Sequence, residues 1–434
     1  MQKRLYYILL LILTGIGFWF IGQRLMNGML VTNLTSSFSW GLWVVFYIFF
    51  IGLSAGSFLL STMIYVFKMH ALEKIGRLSL LSALFSLVGG LMFVLIDLGH
   101  PERFWYTLVH RNFTSVLEWE IHFYLLYIML VLGELWLVMR DDLSLMATNE
   151  TGMRGKLGRI FSMGYRTVAN PEGRVKQSQF AGRWVRILGI LGVPMAIAVH
   201  GGTGSIFAVQ IAKPALNSAI IPIIFIVSAL VSGAALITFL YAFFGKQDKD
   251  KPNVIASLTN LLVLFIGIDL LLVAAEFLIG LYGGIPDDVH SLKEILTGSY
   301  GLVFWIGQIG LAVVIPILLI FLARKTDGDY RLQGLAGLST VLGIIAVRIN
   351  LVMPAYITPP LHGLDKAFVD SRLLYSYFPS TNEIFSSVGI IAFVILMFSV
   401  AWEWLPILER NNHPKQGRRS NDYGINPKGT THKA

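Results

Sequence analysis

Cysteine is absent from this 434-residue sequence. The chain therefore forms no disulfide and supplies no thiolate to an iron–sulfur cluster, so any cluster chemistry has to come from a second polypeptide. Charge is scarce too: Asp, Glu, Lys and Arg together make 14% of the residues, where a soluble domain carries about 25%. Hydrophobic residues make 55%. A single soluble core that apolar is implausible, and the composition points to a membrane protein. The formal net charge of +9 invites a nucleic-acid reading. The basic residues, however, sit in short segments between apolar runs and not on one soluble face, which excludes that reading.

A transmembrane helix needs about 20 mostly apolar residues. Ten such runs are present, at 5–22, 42–67, 77–98, 120–139, 185–210, 219–244, 254–282, 301–323, 332–353 and 384–405. The first resembles a signal peptide, with Lys3 and Arg4 before an apolar stretch. It lacks a convincing small-residue cleavage site and reads as an uncleaved anchor. An even number of spans puts both termini on one side, and the Lys/Arg distribution chooses the side. With the N-terminus inside, the cytoplasmic segments hold 26 Lys and Arg. The outer segments hold seven: Arg24, Arg103, Arg111, Lys213, Lys293, Lys366 and Arg372. Arg348 alone falls deep within a span, since Arg77 and Arg186 stand at cytoplasmic span ends. This asymmetry assigns an inner-membrane protein with both termini cytoplasmic.

The expected architecture is all-α and integral to the membrane. Residues 1–35 form an N-terminal anchor. Residues 36–139 supply the first half of a four-helix bundle, which the span at 185–210 completes. Between them lies a cytoplasmic loop, 140–184, rich in Gly, Arg and Lys and poor in apolar periodicity. Residues 211–355 form a second four-helix bundle. Residues 356–409 add an outer loop and the last helix, and the polar tail 410–434 is expected to be disordered. Helices two to five and six to nine thus make the two bundles, with helices one and ten peripheral.

Ionisable groups inside a span cost about 2.5–3.5 kcal/mol each at the helix centre, so they are functional candidates by default. They are few: Asp97, Glu120, His122, Glu134, His200, Asp269, Glu276 and Arg348. Most fall toward the outer leaflet. Asp269 lies near mid-membrane, and Glu134 lies toward the cytoplasm. Asp269 and Glu276 are seven residues apart and share a helix face. Arg348 needs a buried counter-ion, and those two carboxylates are its natural partners, as a structural ion pair or as part of a proton relay. For Asp97, Glu120 and His122, interfacial capping and functional roles are equally open. His122 and His200 are too few to argue for a haem. The outer segment DLGHPERFWYTLVHRNFTSVLEWE is dense in aromatics, which suits an interfacial belt or the wall of a flat pocket. Small residues recur at Gly52, Ser54, Ala55, Gly56 and Ser57, and again in HGGTGSIFA from His200. They suit close helix packing, or in the second case a local unwinding.

Five segments carry a resemblance: WGLWVVFYIFFIGLSAGSF (40–58), DLGHPERFW (97–105), NFTSVLEWE (112–120), HGGTGSIFAVQIAKPALNSAIIPIIF (200–225) and FWIGQIGLAVVIPILL (304–319). In this order they resemble the NrfD/polysulfide-reductase membrane-subunit family, in the ten-helix form of the hydrogenase-2 membrane subunit and DsrP. The resemblance runs from about residue 36 to residue 355.

It implies an oxidoreductase subunit that binds menaquinone or another quinone near the periplasmic face and carries no haem or iron–sulfur cluster. It also implies a docked periplasmic ferredoxin-like iron–sulfur subunit, linked onward to a catalytic or multihaem cytochrome subunit. The family's quinone-site positions fall here on Asp97, before the turn, and on Glu120, after the tryptophan of the next helix. His100 stands in the turn where relatives often have Arg.

The expectation is a quinone head group between helices two to five. Asp97 and Glu120 would exchange its protons, since quinone chemistry moves two protons with two electrons. His122 or His200 would hydrogen-bond the ring, and Trp40 and Trp119 would pack on it. Glu134, Asp269, Glu276 and Arg348 would form a proton pathway. The competing classes are a secondary transporter and a purely structural anchor. A transporter would use midplane charges and inverted repeats, whereas most charges here lie off-centre and no repeat is apparent.

Overall fold

The computed structural model describes residues 2–407, apart from 67–68, 169, 327, 360–362 and 368–369. The tail expected to be disordered, 410–434, lies outside the described residues. Among these residues there are helices and no strands, and ten helices are long and apolar enough to cross a bilayer. They are α1 (Gln2–Asn27), α2 (Leu42–Tyr65), α3 (Gly76–Asp97), α4 (Val116–Asn149) and α5 (Pro171–Ala208), then α6 (Ile221–Phe244), α7 (Lys251–Gly283), α8 (Val303–Lys325), α9 (Tyr330–Val352) and α10 (Thr381–Trp404). Number and order agree with the apolar runs of the sequence.

Helix α2 packs on α3 and α5, and α4 packs on α5 and α3. In the second bundle α9 lies against α6 and α8, with α7 on α6. Helices α1 and α10 pair with each other and lean on α3. The bundles meet along α2 and α6, where glycines let the backbones touch. A Cβ added to Gly56 would stand 1.8 Å from the Ala229 carbonyl oxygen, and one on Gly233 would stand 2.2 Å from the Gly56 carbonyl carbon. Lipid provides no hydrophobic drive between helices, so such small-residue contacts and their dispersion forces hold the bundles together.

Two local expectations are corrected. The segment 140–184 is mostly helix. It holds the end of α4, a short helix Gly152–Phe161 and the first turns of α5. Its weak apolar periodicity reflects helices that project past the bilayer. Helix α4 has 34 residues and α5 has 38, so each is more than about 50 Å long at 1.5 Å per residue. Gly158 lets the short helix lie against α4, its Cβ position being 2.6 Å from the Ala147 nitrogen. Asn170 caps α5 by accepting from Glu172 N, and Pro171 follows it at the first helical position. The HGGTG segment does not unwind, because α5 stays helical to Ala208.

Helix α8 departs from α-geometry: Val303–Val314 is π-helical and Ile315–Lys325 is α-helical. Pro316 has no N–H to donate. The Leu311 carbonyl, its partner five residues back in a π register, instead accepts from Ser339 Oγ of α9 at 2.8 Å.

Candidate functional site

Helix α4 carries a buried polar stripe at Glu120, Tyr124, Tyr127 and Glu134, the spacing of one helix face. Near the N-terminus of α4, Glu120 is 1% exposed. Tyr124 Oη, one turn on, donates to Glu120 Oε1 at 2.9 Å. Tyr47 Oη from α2 donates to the same oxygen at 2.7 Å, and Thr203 Oγ1 from α5 reaches it in a very short bond. Tyr47 and Tyr124 are 2.7 Å apart. Three helices thus converge on one carboxylate oxygen, and among the described residues Oε2 takes no hydrogen bond. Trp40 stacks edge-on against Phe207 at 4.9 Å, one turn beyond Thr203 toward the C-terminus of α5. His200 lies one turn before Thr203, buried, with its ring 5.3 Å from Phe225. Deeper on the stripe, Tyr127 Oη meets Ser54 Oγ at 3.2 Å, and Ser61 Oγ donates to Glu134 Oε1 at 3.0 Å.

The structure does not bring every expected residue to this place. Asp97 ends α3, and its charged neighbours are Arg24 of α1 and Glu383 of α10, not Glu120. Arg24 Nε donates to the Ile96 carbonyl at 3.0 Å and fixes that corner. Glu383 accepts from Tyr377 Oη and from the Asn33 and Ser380 backbone. Burial, with Glu383 beside it, holds the Tyr377 phenol well above its ordinary pKa. Trp119 is adjacent to Glu120 but faces the other way, 46% exposed, its Nε1 donating to the Phe113 carbonyl. His122 bonds back to the Glu118 carbonyl at 2.8 Å. His100 lies on the surface, 3.0 Å from Glu102. The aromatics of the 99–119 segment form an outward face rather than a pocket: Phe104, Trp105, Tyr106 and Phe113 are all exposed.

In the second bundle the expected ion pair is replaced. Arg348 is buried, and its guanidinium donates to Ser228 Oγ at 3.0 Å and lies over the Phe225 ring at 5.0 Å. Asp269 acts on it through space. Glu276 instead accepts from Ser218 at 3.0 Å. Arg348 is able to approach the first bundle because Gly52 of α2 leaves room. A Cβ there would lie 3.3 Å from Arg348 Nη2 and 3.4 Å from His200 Cε1. Glu134, on α4, stands apart from these groups.

A search for ionisable residues misses Tyr47, Tyr124, Thr203 and Ser228. Tyr124 carried a signal, being four residues from Glu120 on an α-helix. Tyr47 and Thr203 carried none, since each is a lone hydroxyl in an apolar run whose partner comes from another helix. Among the described residues no group of three or more His, Asp or Glu side chains is placed to hold a metal ion.

The polysulphide reductase NrfD family model matches residues 30–360. The chain belongs to the NrfD family. As an NrfD-family protein with ten apolar helices, it is a multi-pass integral membrane protein. It is 50% identical to a selenate reductase subunit of Mesobacillus selenatarsenatis, over 96% of this sequence and 97% of that one. It is 27% identical to the Hdr-like menaquinol oxidoreductase integral membrane subunit of Archaeoglobus fulgidus, over 91% and 92%. It is 26% identical to a polysulfide reductase subunit of Wolinella succinogenes, over 71% and 92%. These relatives are named as subunits of two reductases and of a menaquinol oxidoreductase, which associates this protein with electron transport.

Proposed function

We propose that this protein is the quinol-reactive membrane subunit of a respiratory reductase complex. It passes electrons from the quinol pool, with menaquinol as the expected substrate, to an iron–sulfur partner. The observation that carries the reading is Glu120: a buried carboxylate whose Oε1 is held by three hydroxyls from α2, α4 and α5, while Oε2 is left to meet a substrate proton. The names of relatives support it, one a menaquinol oxidoreductase subunit and one a subunit of selenate reductase.

Oxidation of a quinol releases two protons and two electrons: Glu120 Oε2 takes the first proton from one ring hydroxyl, and the second passes from the other hydroxyl to water at the same membrane face. Tyr47, Tyr124 and Thr203 hold the carboxylate in place and spread its charge. Trp40 and Phe207 form the apolar wall on the outer side. Arg24, bonded to the Ile96 and Leu98 carbonyls, holds the α1–α3 corner beside Asp97, and Asp97 takes no part in the proton step. The electrons leave to a ferredoxin-like iron–sulfur subunit, and through it to a catalytic or multihaem cytochrome subunit, because this protein has no cysteine to hold a cluster. The exposed aromatic face of the 99–119 segment is the docking surface for that partner. By the Lys/Arg asymmetry this face is periplasmic, and the protein sits in the cytoplasmic membrane.

The test is Glu120→Gln in the intact complex. Quinol-dependent reduction should fall to background, while the partner subunits still co-purify and an artificial dye still feeds them electrons. Full quinol activity in this variant would refute the reading.

A further inference from the structure

Apart from the hydroxyl-held carboxylate, two cavities stand out among the described residues, and both lie in the second bundle. The larger, about 100 Å³, sits between α6, α7, α8, α9 and the short helix Pro286–Leu296 that follows α7. Its polar wall is Glu276, Asp288, Ser291, Gln308, Arg348 and Asn350. The smaller, about 20 Å³, lies inward and reaches Asp269. The two share Val273, Gln308 and Val347, so Gln308 is the partition between them.

Three buried polar atoms along this line have no hydrogen-bond partner among the described residues: Asn350 Oδ1, Arg348 Nε and Asp269 Oδ1. Asn350 is 5% exposed and Arg348 is 1% exposed. Polar groups this deep are normally satisfied. A cavity takes up water when it offers about 10–15 Å³ per molecule and two to four polar partners, whereas an apolar one stays dry. The larger cavity has room for several waters and the smaller for one.

We infer that the second bundle contains a one-sided well of ordered water, open at the face where α7 ends and α8 begins, with its floor at Asp269. The mouth lies at half-buried Asp288, and buried Ser291, Pro354 and Ala355 line the cavity beneath it. Burial, with Asp287 beside it, raises the pKa of Asp288, the carboxylate at the entrance. The π-helical stretch of α8 serves the well by turning Gln308 inward, where its Oε1 accepts from Asn350 Nδ2 at 2.8 Å. Such stretches are rare and mark functional sites. Below Asp269 the bundle is closed by buried Leu262, Phe265, Ile266, Ile320 and Ala336. The next polar pair, Thr259 and Gln333, is satisfied internally at 3.1 Å. Asp269 therefore exchanges protons with water on the charge-poor face and not on the other. This inference stands apart from the quinol reading and survives its failure.

This protein has no native cysteine, so label on this subunit, separated from its partners by electrophoresis after the reaction, reports the introduced thiol alone. Single variants Ser291→Cys, Val273→Cys, Leu262→Cys and Leu271→Cys represent the upper well, the lower well, the plug and the lipid-facing surface. Each is treated in the intact complex, in membrane vesicles of either orientation, with a charged, membrane-impermeant methanethiosulfonate. Val273→Cys should react from the side on which Ser291→Cys reacts. It should do so roughly tenfold or more faster than Leu262→Cys and Leu271→Cys, because the reactive thiolate forms only where water reaches. Reaction of Val273→Cys as slow as that of Leu262→Cys, beside a reactive Ser291→Cys, would overturn the well. So would reaction from the opposite side. Val347→Cys, on the facing wall, repeats the measurement should Val273→Cys fail to accumulate.

Discussion

Thr203 and Tyr47 have no proton to give up at ordinary pH, yet they define the Glu120 site. Each donates to a carboxylate that has been stripped of water, and a hydrogen bond to a charged group contributes about 1.5–3 kcal/mol. If that stabilisation is needed to hold the acceptor oxygen toward the quinol, Thr203→Val should lower kcat/KM for quinol by about tenfold to a hundredfold, since 1.36 kcal/mol is tenfold in rate. Steady-state kinetics with a soluble quinol, on complex of unchanged composition, would check it. Unchanged kcat/KM would mean that Thr203 serves only to cap the Val199 carbonyl, which it also reaches at 2.9 Å. Glu120 itself was readable from the sequence, because a carboxylate inside an apolar run is expensive and conspicuous. Its hydroxyl partners were not. Lone Tyr and Thr residues are common in membrane helices, and only the crossing of α2 and α5 over α4 distinguishes these.

At the scale of helices, packing follows from where side chains are missing. The α2–α6 contact joins the two bundles through Gly56 and Gly233, with no space at either for one more carbon. Gly233→Ala puts a methyl into the opposing backbone, which no rotamer change relieves. We expect it to force α6 away from α2 and to lower the melting temperature of the purified protein by several degrees, at a cost of about 1–3 kcal/mol for an overpacked core. Differential scanning fluorimetry in detergent reads this directly, with Gly267→Ala, where nothing lies within 4 Å, as the matched control. The glycine and serine run of α2 was legible as a packing face. Its partner was not, because small residues recur in several helices and composition does not choose among them. The π-helical register of α8 was equally invisible. The Leu311 carbonyl at its end, which Pro316 leaves without an N–H partner, is taken by Ser339 of another helix.

For the whole molecule, the decisive quantity is the asymmetry of Lys and Arg across ten spans. Twenty-six fall on one side and seven on the other, and a single missed helix would scramble that alternation. The orientation is tested by fusing reporters to the C-terminus. A fluorescent protein that matures only in the cytoplasm should be bright there, and an alkaline phosphatase that needs the periplasm should be inactive. The reverse pattern would move the Glu120 site and the cavity mouth to the cytoplasmic side, and with them the proposed iron–sulfur partner.

Hydrophobicity, the scarcity of charge and the lack of cysteine were enough to establish a ten-helix membrane protein, its bundle order and the short list of buried ionisable groups. These follow from transfer energies along a single polypeptide, which a sequence expresses directly. Which of those groups meet was decided by the tertiary structure alone. It joined Glu120 to Tyr47 and Thr203, placed Asp97 near Arg24 and not Glu120, turned Trp119 toward the surface, and set Arg348 on Ser228 and Phe225 with Asp269 acting on it only through space. The reason is geometric: a partner on another helix depends on crossing angle, depth and rotation, and no local pattern encodes those.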